Sequence, residues 1–83
     1  LHNNYPNPFN PATNIRFDIA AATDVKLAIF DAAGKEISVP VNGFYNAGKY
    51  EASFDASNLA SGTYFYSLRA GEFTQTKKMV LIK

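Results

Sequence analysis

The chain has 83 residues, which is enough for one folded domain and too few for two. Eight Lys and Arg against seven Asp and Glu leave a net charge of +1 and no long run of like charge, so the sequence lacks the basic character of a nucleic-acid-binding protein. Cysteine is absent, which excludes disulfides, thiolate nucleophiles and thiolate metal sites. No signal peptide or membrane-spanning apolar run is visible, so we expect any amino-terminal export signal to lie on a longer parent polypeptide.

The chain begins with a proline-rich segment, LHNNYPNPFNP, in which three prolines stand among four asparagines. Proline lacks a backbone N–H and restricts the residue before it, so neither a helix nor a central strand is expected there. We predict an extended lead-in over residues 1–12, followed by one β-sandwich over residues 13–83. Tyr5 and Phe9 are the aromatic side chains of the lead-in, and we expect both to pin it to the sandwich.

The rest of the chain alternates between apolar and polar residues with a period of two, which predicts half-buried β-strands. Gly34, in the link DAAGKE, is placed to turn the second strand back into a third through Ile37 and Val39. The apolar positions of the other strands are Ile15, Phe17 and Ile19; Val25, Leu27 and Ile29; Tyr50, Ala52 and Phe54; Tyr64, Tyr66 and Leu68; and a final strand from Phe73 to Lys83.

Turn residues recur every eight to twelve residues, as in antiparallel sandwiches. Asn42 with Gly43 and the stretch 46–48 are turn candidates, and Leu59 is expected to cover one end of the core. No helix follows the glycines, so they are predicted to form turns and not to cradle a phosphate. These turn glycines are Gly34, Gly48, Gly62 and Gly71. We therefore predict an immunoglobulin-like or fibronectin-like antiparallel β-sandwich of six to seven strands.

Groups suited to catalysis or metal binding are sparse. His2 lies in the lead-in, where a solvated side chain is a better interpretation than a catalytic base, and no serine has a base beside it in sequence. Asp31, Asp55 and Asn58 raise a calcium-site hypothesis, but their spacing matches no calcium loop, and turn formation through accepted backbone hydrogen bonds is favoured. We predict no catalysis, no metal site and no cofactor.

Several aromatic residues fall where alternation leaves them exposed or on a rim. Sugar-binding modules use such side chains as stacking platforms, so a non-catalytic carbohydrate-binding module is the alternative function. Tryptophan is absent, and single exposed apolar groups need no special explanation, which ranks this alternative second. The residues of this possible aromatic surface are Phe30, Tyr45, Phe65 and Phe73.

Five stretches of the sequence carry distinctive residue patterns in a fixed order. They are YPNPFNPATNIRF (5–17), VKLAIFDAAGKEI (25–37), NAGKYEASFD (46–55), LASGTYFYSL (59–68) and KKMVLIK (77–83). Together they resemble the type A C-terminal sorting domain of the type IX secretion system, itself similar to an immunoglobulin-like domain of flagellar hook-capping proteins. Small departures from the family pattern are Phe30 where tyrosine is common, Lys35 where arginine often stands, and Phe54 where tryptophan is frequent.

The resemblance implies a sorting signal at the end of a larger exported protein, continuous with an upstream cargo domain. It further implies recognition by an outer-membrane secretion translocon, and a sortase-like peptidase that removes the domain and attaches the cargo to the cell surface or releases it. The implied location is the cell surface or the medium, reached through the periplasm and the outer membrane. Neither a nucleic acid nor a small-molecule substrate is expected, and a purely structural spacer is a third possibility.

The terminal strand is the predicted element for partner recognition, because it combines an exposed backbone edge with cationic side chains. An ordinary terminal strand with Met79 and Leu81 packed inward is compatible with that role, and edge lysines also discourage aggregation. The predicted recognition residues are Lys77, Lys78, Met79, Val80, Leu81, Ile82 and Lys83.

Overall fold

The computed structural model describes residues 1–83 and contains six strands and no helix. The strands are β1 (Ala12–Ile19), β2 (Thr23–Phe30), β3 (Glu36–Tyr45), β4 (Gly48–Asp55), β5 (Gly62–Ala70) and β6 (Phe73–Leu81). The strands pair antiparallel into a two-stranded sheet, β1-β4, and a four-stranded sheet, β3-β2-β5-β6, which confirms the predicted sandwich. No element of the domain is a helix that could cross a membrane.

One hydrophobic core fills the space between the two sheets. β1 alternates strictly between exposed and buried residues, as its sequence pattern predicts, and its buried side chains face those of the larger sheet. β5 places Tyr64, Tyr66 and Leu68 on the inner face, which confirms the predicted register of the aromatic strand. The largest fully buried side chains include Tyr66, Phe9 and Phe17.

The hairpin between β2 and β3 forms where Gly34 was expected to turn the chain. Gly34 has a φ of 89°, a left-handed conformation that a side chain with a Cβ adopts only with strain. The Asp31 carboxylate accepts hydrogen bonds from the backbone N–H groups of Ala33 and Lys35 at 3.0 and 2.9 Å. This contact confirms that Asp31 begins a turn.

The predicted turn at Asn42 and Gly43 is wrong, because both residues lie inside β3. They pair with Lys26 and Val25 of β2 in a ladder that continues to the end of the strand. Gly43 has no positive φ, so nothing in its backbone interrupts the strand. The long hairpin ladder satisfies more backbone groups than a local turn would, and it overrides the turn preference of Asn-Gly.

The remaining connections follow the expected turn residues. Residues 46–47 join β3 to β4 and carry the chain from the larger sheet to the smaller one, as expected, although Gly48 is the first residue of β4 and pairs with Ile19. Gly62 is the first residue of β5, and Gly71, with a φ of 62°, turns β5 into β6. Leu59 packs against the core from the loop between β4 and β5, as predicted.

The lead-in packs along the side of the sandwich and touches both sheets. It first runs antiparallel to β1, where Tyr5 and Asn14 exchange two backbone hydrogen bonds of 2.9 Å, and then reaches β6. Phe9 is only 1% exposed and lies in the core with its ring edge-on to Phe54. Phe9 pins the lead-in as predicted, but the expectation for the Tyr5 ring is wrong, because that side chain is 79% exposed and only its backbone is paired.

Candidate functional site

The terminal strand has one face in the core and one face in solvent. Met79 and Leu81 are buried, which confirms that they pack inward, while Lys78 is exposed and Val80 is half-buried. The alternating side chains of β6 therefore give its two faces different roles. Its core-facing residues hold it in the sheet, and its outward residues are available to another molecule.

The backbone of β6 has one side paired with β5 and one side that is an edge of the four-stranded sheet. The N–H of Val80 donates to the Asn7 side-chain oxygen at 3.0 Å, and its carbonyl accepts from Phe9 N–H at 2.9 Å, so both groups point away from β5. Backbone direction alternates along an antiparallel strand. The N–H and C=O of Thr74, Thr76 and Lys78 therefore also point outward.

The edge of β6 is open along only part of its length, which corrects the expectation of an exposed edge over the whole stretch 77–83. Ile82 N–H donates to the Phe9 carbonyl at 3.0 Å, so the lead-in covers the edge from Val80 to Ile82. No backbone partner covers the segment from Thr74 to Lys78. No local sequence pattern predicts this covering, because the paired residues lie up to 73 positions apart.

The cationic side chains of the terminal strand differ in their surroundings. Lys77 and Lys78 form no salt bridge, since the ion pairs of the domain join Lys26 to Glu36 and His2 to Asp18. Neighbouring positions on a strand point to opposite faces, so these two charges flank the open edge from both sides. Lys83 instead donates from Nζ to the carbonyl of a loop residue at 2.6 Å, which ties the strand end to the β4–β5 loop.

That loop is itself ordered by Asp55. Its carboxylate accepts hydrogen bonds from the Ser57 hydroxyl and from the Ser57 backbone N–H, the latter at 2.9 Å, which confirms Asp55 as a turn residue. Both hydrogen bonds hold the pKa of the Asp55 carboxyl below its ordinary value, and the bond from the Ser57 hydroxyl has the larger effect. The charge of Lys83 lowers this pKa as well. The Ser57 carbonyl is the group that accepts from Lys83 Nζ.

The four aromatic residues singled out in the sequence do not form one exposed surface. Tyr45 was expected on the rim, but it packs against the core, edge-on to Phe17 at 6.3 Å. Phe30 and Phe65 sit opposite each other on β2 and β5 and are half-buried, whereas Phe73 is 51% exposed. A stacking platform for sugars is therefore not favoured.

His2 lies at the surface of the domain and pairs with a carboxylate of β1. Its Nε2 lies 2.9 Å from Asp18 Oδ2 in a half-exposed pair. The hydrogen bond from His2 lowers the pKa of the Asp18 carboxyl below its ordinary value. Arg16, Lys49 and Glu51 line the shallow polar groove around this pair, and no group of three His, Asp or Glu side chains is placed to hold a metal ion.

The fold and the partly open strand edge define a small β-sandwich module that presents free backbone groups at one edge of its larger sheet. The family model of the secretion system C-terminal sorting domain matches residues 3–83, nearly the whole chain, and the chain belongs to that family. The chain is thus a C-terminal sorting signal for type IX secretion, which confirms the resemblance seen in the sequence. Comparisons with curated proteins and with solved structures gave no match.

Membership of the family sets the location and the general role of the domain. A sorting domain of this type marks the protein that carries it for export to the cell surface or for secretion across the outer membrane. The family is one of signals and not of catalysts, and its function requires secretion machinery and an upstream cargo.

Proposed function

We propose that an outer-membrane translocon recognises the folded domain at β6, and that a sortase-like peptidase then separates the domain from its cargo. The observation that carries the proposal is the open edge from Thr74 to Lys78 beside two lysines without ion-pair partners. Strand edges and free surface charges are features that partner proteins bind.

The terminal strand contributes to recognition in two ways under this proposal. Met79 and Leu81 anchor β6 in the core, so that the edge is presented in a fixed position. Lys77 and Lys78 supply positive charge on the two sides of that edge and attract an acidic partner surface before contact. Val80 and Ile82 contribute less directly, because the lead-in already bonds to the outward N–H and C=O of Val80 and to the N–H of Ile82.

A reporter fusion tests the proposal. The 83-residue chain is fused to the end of a periplasmic reporter in a host that has the type IX machinery, and reporter activity is measured in the periplasm, at the surface and in the medium. We expect the reporter outside the cell and separated from the domain. Retention of an intact fusion in the periplasm contradicts the proposal.

The contribution of the lysines is measured with a charge-matched pair of double variants. Lys77→Gln with Lys78→Gln removes the charges beside the open edge, and we expect a severalfold loss of export at an unchanged melting temperature. Lys35→Gln with Lys49→Gln removes the same charge at exposed positions away from β6 and is expected to export normally. Equal export by the two double variants contradicts a specific contribution of Lys77 and Lys78.

A further inference from the structure

Two strand edges of the sandwich are already protected. The lead-in covers the edge of β1, where Tyr5 is paired with Asn14 and the His2 N–H donates to the Arg16 carbonyl at 2.9 Å. The edge of β3 contains Pro40, which has no N–H, and a shift of the register against β2 in the same region. Proline and bulges are common means of preventing unwanted strand pairing.

The open edges are those of β4 and β6, and their charges differ. Ala56 N–H donates toward β1, to the Pro11 carbonyl, so alternation turns the N–H groups of Lys49 and Glu51 on β4 outward. The opposite charges of these two residues offset each other. The open part of β6 ends at two lysines and carries no acidic residue.

The edge of β6 already pairs with an extended segment of the lead-in, through one isolated β-bridge. Phe9 pairs parallel to Leu81 and forms backbone hydrogen bonds of 2.9 and 3.0 Å with Val80 and Ile82. Strand twist and side-chain bulk are therefore compatible with pairing at this edge. The adjoining Thr74, Thr76 and Lys78 are exposed and present the same backbone groups without a partner.

We propose that the secretion machinery reads this domain by β-augmentation: an extended segment of the partner adds a strand to β6 at Thr74, Thr76 and Lys78. The inference rests on the function proposed above and specifies its chemistry. Partner carbonyls accept from these N–H groups, and acidic side chains on the added strand face the lysines at its end. The added strand stops at Val80, where the lead-in begins to cover the edge.

A proline substitution separates backbone pairing from side-chain contact. Thr76→Pro removes one outward N–H but no hydrogen bond to β5, so the domain keeps its ladder. We expect export of the reporter to fall roughly tenfold, as the loss of one buried hydrogen bond predicts. Thr76→Val keeps the N–H and the β-branched shape and is expected to export within about twofold of the unmodified fusion.

Glu51→Pro is the matched control, because it makes the same change at the open edge of β4 and is expected to leave export unchanged. Circular dichroism and melting of each 83-residue variant show which variants are folded. If Thr76→Pro does not fold, Thr74→Pro replaces it with the same expectation. Normal export by a folded proline variant of β6, with normal export of the unmodified fusion, overturns strand addition and leaves the proposed function standing.

Hydrogen exchange of the unmodified chain tests the same edge without a substitution. We expect the amides of Thr76 and Lys78 to exchange rapidly, and those of Val80 and Ile82 to be protected by the lead-in. Slow exchange at Thr76 in a chain that sedimentation shows to be monomeric overturns the inference, since the edge is then not free. Slow exchange that appears only in a dimer assigns the edge to a second copy of the chain and overturns it as well.

Discussion

Replacement of Phe9 by alanine tests whether the lead-in belongs to the folded unit. Phe9 is 1% exposed, and its ring centroid lies 6.4 Å from that of Phe54. Phe9 belongs to none of the six strands. Truncation of a fully buried phenylalanine costs about 3–5 kcal/mol of unfolding free energy. A domain of this length has a total stability of about 4–12 kcal/mol, so the variant is expected to lose a large share of it.

The assay is thermal and urea unfolding of the 83-residue chain, followed by circular dichroism. Each kcal/mol corresponds to about 4–8 °C for a domain of this size, so we expect Phe9→Ala to melt at least about 12 °C lower. Tyr5→Ala is the control in the same segment, because its ring is exposed, and it is expected to change stability by less than about 0.5 kcal/mol. Equal melting temperatures for the two variants would refute the claim that Phe9 anchors the lead-in in the core.

Three further measurements address other contacts. Tyr66→Phe removes a hydroxyl that donates to the His2 carbonyl and accepts from a lead-in N–H, and we expect a loss of about 1–3 kcal/mol in urea unfolding. Gly34→Ala is expected to lower the free energy of unfolding by about 1–2 kcal/mol, because Gly34 has a positive φ. Gly43→Ala lies in ordinary strand backbone and is expected to lower it by less. Equal losses for the two variants contradict the turn assigned to Gly34. Folding lowers the pKa of the Asp18 carboxyl, so the ionised carboxylate stabilises the folded state. This stabilisation is present above the ordinary carboxyl pKa and is lost as the pH falls below about 4. Asp18→Asn is therefore expected to weaken the decrease in urea midpoint between pH 6 and pH 3, and an unchanged pH dependence contradicts the role of the pair with His2.

The strands were predictable because their signal is local. The alternation of apolar and polar residues in β1 and β5 shows which face of each strand is buried, whichever strand it pairs with. Gly34 was predictable for the same reason, since a short hairpin needs a positive φ near its turn. The family resemblance rested on these same local stretches.

Features set by distant parts of the chain were not predictable. Tyr45 was expected on the rim, but β3 continues as far as Tyr45 and places it on the same face as the buried Val41. It therefore packs against Phe17 and Tyr50 from the other sheet. Asn42 and Gly43 have the composition of a turn, but the ladder with β2 determines their conformation. The covering of β6 by the lead-in joins opposite ends of the chain, and no local pattern encodes such a pairing.

The path of the lead-in also limits how far this domain can be trimmed for use as a portable tag. A tag cut back to the start of β1 at Ala12 keeps every strand but loses the ring of Phe9, and the core is left with a void beside Phe54. The same cut uncovers backbone on β1 and on β6, one edge from each sheet. We expect the shortened tag to be less stable and more prone to self-association than the full 83 residues. The proline-rich lead-in should therefore be kept in any tag built from this domain.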